Sequence, residues 1–327
     1  MIYPKHLTHQ SKIGVTAPSA GVGDHLEEYE KSIKSLKKEG FSIVETASVR
    51  NKGEISNTKE IRAEELNKLV IDENIDMIMC ATGGDFLVEI LPYVNFENIK
   101  KFPKWLMGAS DPTSLLYYIT TSLDIATIYG HNAGSYDAEN LHKSQKISLD
   151  IIKGNIRKQN SYSLYEKDKK KRIDGYVLEE PVIWNSINGK VDIEGRIIGG
   201  CIDCLKDIIG TRFDNTISFI EKYKNDGIIW YFDIFALTSE DFYRTLLQMK
   251  EANWFNYIKG IIVGRVMFPN SFTSMTYEKA LKEVFPNLPI IMNADIGHVP
   301  PKMTIINGSI AHIESNNGKG KIELKEK

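Results

Sequence analysis

The chain has 327 residues, enough for about two domains at ~100–200 residues each, so a single small disulfide-stapled module is excluded. Lys and Arg number 41 against 43 Asp and Glu, a net charge of -2, and the basic footprint of a nucleic-acid binder is missing, so no nucleic-acid partner is expected. With 42% hydrophobic and 26% charged residues the composition is that of a folded globular chain and not of a disordered one.

The amino terminus, MIYPKHLTHQSK, has neither the apolar stretch nor the small-residue cleavage site of a secretory signal, and no apolar run approaches the ~20 residues of a bilayer span. No membrane partner is expected. Three cysteines, Cys80, Cys201 and Cys204, are odd in number and few, which suits a reducing cytoplasmic compartment better than a disulfide framework.

In chain order, residues 13–17 read as a strand that runs into the turn-like Pro18-Ser19-Ala20-Gly21. Residues 26–38 then carry Leu26, Tyr29, Ile33 and Leu36 at helical spacing. The strand, loop, helix pattern recurs at 77–81 before Gly83-Gly84, and at 105–107 before Ser110-Asp111. Such β-α repetition predicts a doubly wound parallel sheet, whose ligand sites lie beyond the carboxyl ends of its strands. Residues 153–184 are polar, include the basic run 167–172, and read as a connection with a solvated surface loop. Strands are then expected at 227–232, 258–263 and 289–292, helices at 239–252 and near 277–285, and a terminal meander with turns at Asn307-Gly308 and Asn317-Gly318. The expected organisation is an N-terminal α/β domain over 1–152, a connecting segment over 153–184, and a mixed α/β domain over 185–327.

Ser110 is the sharpest chemical feature. It follows an apolar strand through Gly108-Ala109 and precedes a helix that opens with Asp111-Pro112, so it sits at a strand-to-helix turn near unpaired helical N–H groups. Helix capping by Ser110 or Asp111 explains the same pattern. The G-x-S-x-G elbow is absent because position 112 is Pro. Gly83-Gly84 permits positive φ and close backbone approach, so it offers either an oxyanion donor or a plain tight turn.

Of seven histidines, His298 stands in an irregular loop, Asn293 to Pro301, after an apolar strand, with His131 as its competitor. An orienting acid could be Asp233, which interrupts an apolar run, or Glu194. The Cys201-x-x-Cys204 pair lies in an apolar segment with no second pair or nearby His, so core packing is a simpler reading than metal or redox work.

Six blocks in order, IGVTAPSAG, ATGGDFLVEILPYV, WLMGASDPTSLL, EGRIIGGCIDCLKDIIGT, YIKGIIVGR and ADIGHVPPKMTIINGSIAHIE, make the chain resemble the LD-carboxypeptidase family of serine peptidases, closest to its microcin C immunity branch. The resemblance implies an N-terminal α/β domain and a C-terminal domain with a β-barrel-like core. It further implies Ser110 as nucleophile, His298 as base, an oxyanion hole from the backbone N–H groups of Gly84 and Asp111, no cofactor or metal, and a homodimer. The family commonly places Glu where this chain has Asp233, so Glu194 stays in view as an alternative acid.

The implied reaction is amide hydrolysis through an acyl-enzyme. The substrate is either a murein tetrapeptide, in peptidoglycan recycling, or an aminoacyl-nucleotide conjugate, in microcin immunity. Trp184, in a loop like that of the microcin branch, is a candidate for stacking on a base, with packing in its own domain as the alternative. Gly83 and Glu194 are the other candidate substrate contacts. A non-catalytic binding module that keeps the fold is the reading from another class.

Overall fold

A computed structural model describes residues 1–155, 157–167 and 174–327. The chain divides into two compact units. The first holds Met1–Ile156, Lys171–Tyr176 and Thr304–Ile306, and the second holds Arg157–Lys170, Val177–Met303 and Asn307–Lys327.

In the first unit, strands β1 (Lys12–Thr16), β2 (Ser42–Glu45), β3 (Met77–Cys80), β4 (Trp105–Gly108) and β5 (Thr127–Tyr129) pair in parallel. They alternate with α1 (Leu26–Lys38), α2 (Lys59–Ile71), α3 (Phe96–Lys101) and α4 (Thr113–Leu123), and α5 (Lys143–Ile152) follows. Central β3 and β4 are buried at every position, as parallel strands covered on both faces must be, whereas edge strand β2 is partly exposed throughout. Strand order 2-1-3-4-5 puts the topological switch between β1 and β3, where sheets of this type open a ligand crevice at the strand carboxyl ends. Both Gly83-Gly84 and Ser110 stand at those ends.

The segment expected as a connection contributes real structure. It supplies β6 (Lys158–Asn160), the small hairpin β7 (Leu164–Tyr165) with β8 (Glu180–Pro181), and it leads into β9 (Asn185–Ser186). Of the basic run 167–172, only Lys167 lies within the described residues.

The second unit centres on four parallel strands, β10 (Val191–Cys201), β11 (Ile228–Asp233), β12 (Ile258–Gly264) and β13 (Ile290–Ala294). Helices α6 (Ile202–Leu205), α7 (Thr216–Lys222), α8 (Ser239–Glu251) and α9 (Tyr277–Val284) connect them. The chain then passes through β14 (Ile305–Asn307), which joins the first unit's sheet beside β5, into the β15 (Ile310–Asn316) and β16 (Lys319–Lys325) hairpin. The eight-stranded order is β6-β16-β15-β10-β11-β12-β13-β9. The sheet curls on itself: Trp184, just before edge strand β9, donates its amide to Gly318 in the β15–β16 turn at 3.0 Å, and Ser186 Oγ meets Ser315 Oγ at 2.7 Å. That contact gives the unit its barrel-like character. No helix among the described residues is long and apolar enough to cross a membrane.

Candidate active site

In the first unit, β4 delivers Ser110 in a left-handed conformation, φ +70°. A non-glycine residue pays about 1–2 kcal/mol for that geometry, so the surroundings must impose it. They do so by clamping both sides of the turn. Ala109 N donates to Asn132 Oδ1 at 2.9 Å while Asn132 Nδ2 donates to Ala109 O at 3.3 Å, and Ser110 N donates to the Tyr129 hydroxyl at 3.1 Å. The Ser110 side chain makes no hydrogen bond to α4, whose N-cap is Pro112, so capping does not account for it.

Gly83 packs so closely on this turn that an added Cβ would lie 3.0 Å from Ser110 Cβ and 3.1 Å from its Oγ. Gly84 has φ +145°, and a Cβ there would fall 2.2 Å from Ser19 Oγ. The Asp111 side chain faces away from solvent, 4% exposed. It accepts hydrogen bonds from Ser19 Oγ and, at 2.8 Å, from Leu87 N. Burial raises its carboxyl above the ordinary value. Ser19 Oγ in turn accepts from Phe86 N at 3.3 Å. Fully buried Arg62 donates to Pro18 O at 2.9 Å and Phe86 O at 3.1 Å and pairs with Glu89. The loop that carries Gly84 is therefore braced from β1, α2 and the start of the Ser110 helix.

In the second unit, Asp233 ends β11 fully buried, and His298 sits four residues past β13. His298 Nδ1 is 2.7 Å from Asp233 Oδ2, and His298 N donates to Asp233 Oδ1 at 3.3 Å. Both ring nitrogens of His298 are buried, the Nδ1–Asp233 approach is at ion-pair distance without hydrogen-bond alignment, and Nε2 has no hydrogen-bond partner among the described residues. A buried carboxylate facing Nδ1 with Nε2 unpartnered is the pairing a general base uses once the ring aligns on the acid. Gly297, φ +100°, makes it possible, since a Cβ there would fall 2.1 Å from Asp233 Oδ1. Cys201, the last residue of β10 and in register with Asp233, places its Sγ within 4.8 Å of the His298 and Asp233 ligand atoms.

Three residues that sequence reasoning passed over hold this half in place. Arg265, just past β12, pairs with buried Asp295 at 2.7 Å and donates to Val299 O and Pro301 O at 3.2 and 2.8 Å, so it ties down both flanks of His298. Burial raises the Asp295 carboxyl despite the neighbouring guanidinium. Asp203 accepts from the amides of Phe235, Ala236 and Leu237 at 3.0, 2.9 and 3.0 Å, fixing the turn after Asp233. A lone Arg after a strand and an Asp inside the Cys-x-x-Cys were the available signals.

Three candidates are placed elsewhere. Glu194 lies near the start of β10, seven residues before its carboxyl end, where it pairs with Lys325 at 2.9 Å and is half exposed, so it does not orient His298. Trp184 is 1% exposed, with its indole N–H donating to Asp295 at 2.9 Å and its ring filling the space a Cβ on Gly320 would need. No face of that ring is left to stack on a base, because the barrel-like closure consumes it. His131 is fully buried, with Nε2 3.3 Å from the Tyr176 hydroxyl.

Comparison with known proteins adds an independent line. Residues 13–130 match the LD-carboxypeptidase N-terminal domain and residues 194–313 the LD-carboxypeptidase C-terminal domain. A putative carboxypeptidase of Vibrio cholerae is 28% identical over 99% of this chain and 98% of its own length. The microcin C7 self-immunity protein MccF of Escherichia coli is 26% identical over 88% of this chain and 85% of its own. The crystal structure of an MccF-like protein from Streptococcus pneumoniae in complex with AMP superposes with a TM-score of 0.80 at 26% identity, covering 97% of this chain and 99% of that one.

Proposed function

Because the chain belongs to the LD-carboxypeptidase family, a family of serine peptidases, we propose that it hydrolyses an amide bond through a Ser110 acyl-enzyme with His298 as general base and Asp233 as its orienting acid. The observation that carries the reading is the buried Asp233 carboxylate 2.7 Å from His298 Nδ1, with Nε2 free of any hydrogen-bond partner among the described residues. His298 takes the Ser110 proton as Oγ attacks the carbonyl, and the backbone N–H groups of Gly84 and Asp111 receive the oxyanion. The intermediate collapses as His298 gives that proton to the departing amine. Water then attacks the acyl-enzyme with the same histidine as base, returning the proton to Ser110 as the acid leaves. No step calls for a metal or organic cofactor.

The substrate we assign is an aminoacyl-nucleotide conjugate, supported by the AMP in the solved MccF-like relative from Streptococcus pneumoniae. Burial of Trp184 favours the second reading, a murein tetrapeptide in peptidoglycan recycling, because it removes the expected stacking platform. A cytoplasmic homodimer completes the proposal, in keeping with three free cysteines, and light scattering tests the dimer.

The deciding experiment offers wild type and Ser110→Ala a murein tetrapeptide and an aminoacyl-sulfamoyl adenosine side by side, with products read by mass spectrometry. Serine-dependent cleavage of the adenosine conjugate upholds the assignment, and loss of D-Ala alone selects the second reading. If neither is cleaved and folded wild type takes no fluorophosphonate label at Ser110, the protein is a binding module with a family fold.

A further inference from the structure

Cys201 has no part in the reaction just described, yet it lies at its centre. It is the Cα partner of Asp233 on the neighbouring parallel strand, it is 1% exposed, and its Sγ, an Asp233 carboxylate oxygen and a His298 ring nitrogen all lie within 4.8 Å of one another. Sulfur, nitrogen and oxygen donors in that combination suit a thiophilic divalent cation. Zn²⁺ binds them at about 2.3, 2.0 and 2.1 Å, which in tetrahedral geometry sets the donor atoms roughly 3.5 Å apart, so the side chains must draw in by up to about 1 Å to close on the ion.

We propose that Cys201, Asp233 and His298 form an inhibitory zinc site with the fourth position open to water. Occupancy takes the His298 ring and the Asp233 carboxylate out of the base pair, so zinc and turnover compete for the same atoms. Binding releases the Cys201 thiol proton to solvent, leaving a thiolate on the metal. All the donor atoms are buried, so entry requires the His298 ring, whose side chain is 18% exposed, to swing outward. The competing cluster, Asp192, His312 and Glu314 on β10 and β15, is solvent-exposed, and Lys321 already occupies its Glu314 at 2.6 Å. The inhibition part of this inference rests on the catalytic roles proposed above, whereas the binding part does not.

The test uses the full chain stripped of metal with a chelator and loaded with Co²⁺, read by the thiolate-to-cobalt charge-transfer band in the near ultraviolet, with Zn²⁺ added as competitor. Hydrolysis of the preferred substrate is followed in parallel. One equivalent of Co²⁺ is expected to give the band and one equivalent of Zn²⁺ to abolish it. Cys201→Ala should lack the band and, relative to its own metal-free rate, need about 100-fold more Zn²⁺ for inhibition, since losing even an outer partner of a ligand costs ~10–100-fold. His298→Ala, at a partly exposed position, should weaken Zn²⁺ binding in the same way, and His312→Ala should bind like wild type. Absence of the band in folded wild type overturns the site, as does binding that survives in Cys201→Ala and His298→Ala but vanishes in His312→Ala. A band in a protein that hydrolyses neither substrate overturns the proposed function and leaves the site standing. Hydrolysis without a band does the reverse.

Discussion

Asp233 is one methylene shorter than the glutamate that the family resemblance implies at this place, and the backbone closes the difference. Gly297 brings the chain so near the carboxylate that no Cβ fits, and the His298 amide donates to the oxygen that Nδ1 does not face. A longer acid therefore has no room. Asp233→Glu should lower kcat although it restores the family residue, because the extra methylene pushes the loop and rotates His298 off its axis. Asp233→Asn keeps the shape and loses the charge that stabilises the imidazolium and its tautomer, so a fall of about 10⁴-fold in kcat is expected with KM little changed. Steady-state kinetics check both. If Asp233→Asn kept near-native kcat, Asp233 would not be the orienting acid.

The turns that carry Ser110 and His298 were legible because each breaks a local pattern. A small polar residue stands where a strand must turn into a helix, and a histidine is bounded by Gly and Pro after an apolar strand. Their supports were not legible. Ser19 and Asp111 are 92 positions apart, and Arg265 reaches Asp295 across 30. Nothing local in the sequence signals such pairs, since each residue type is ordinary for its own segment.

At the scale of elements, the loops beyond the strand ends are held by single polar residues that saturate backbone donors. Glu240, in the first turn of α8, accepts from the Thr273 hydroxyl and amide at 2.6 and 2.8 Å, the Ser271 hydroxyl at 2.8 Å and the Phe272 amide at 3.1 Å. These bonds, the Thr273 hydroxyl foremost, hold its carboxyl down to about 2 against an ordinary 4.5. Between those values the unfolded chain binds more protons than the native one. The stabilisation is therefore complete above about pH 4.5 and drains away as pH falls towards 2. Glu240→Gln should show a shallower dependence of Tm on pH across that window, measured by scanning calorimetry, and an unchanged slope would show that the carboxylate does not order residues 271–273.

Arg62 serves the first unit in a comparable way, by bonding three carbonyls, those of Pro18, Asn57 and Phe86, from a buried guanidinium. Arg62→Met leaves Pro18 O, Asn57 O and Phe86 O without that donor. A loss of about 3 kcal/mol is expected in denaturant unfolding, because carbonyls at buried or half-buried places lose a charged donor at roughly 1–3 kcal/mol each, while Glu89, 40% exposed, is taken up by water. A loss below 1 kcal/mol would mean that water replaces the guanidinium there.

At the scale of the whole molecule, the chain's course ties the two units to one short carboxyl-terminal stretch. β14 completes the first unit's sheet beside β5, and the β15–β16 hairpin lies against β10 in the second. Deleting residues 304–327 should therefore strip β14 from the first sheet and both β15 and β16 from the second, exposing β5 in one and β10 and β6 in the other. Hydrogen exchange should rise in β5 as well as in β10, and protection retained in β5 would show that β14 is dispensable to the first sheet.

The sequence by itself determined the alternating α/β character, the parallel sheet and the turns that display Ser110 and His298, because periodicity and Gly, Pro and Asn punctuation act over a few residues. Tertiary structure alone decided that Trp184 is core, that Glu194 faces Lys325 and that Asp233 meets His298. Those outcomes depend on how far a sheet curls and which strand ends fall side by side. Such contacts are fixed by packing between distant segments, and only the closed sheet, with its Trp184 plug and its Gly297 approach, supplies that information.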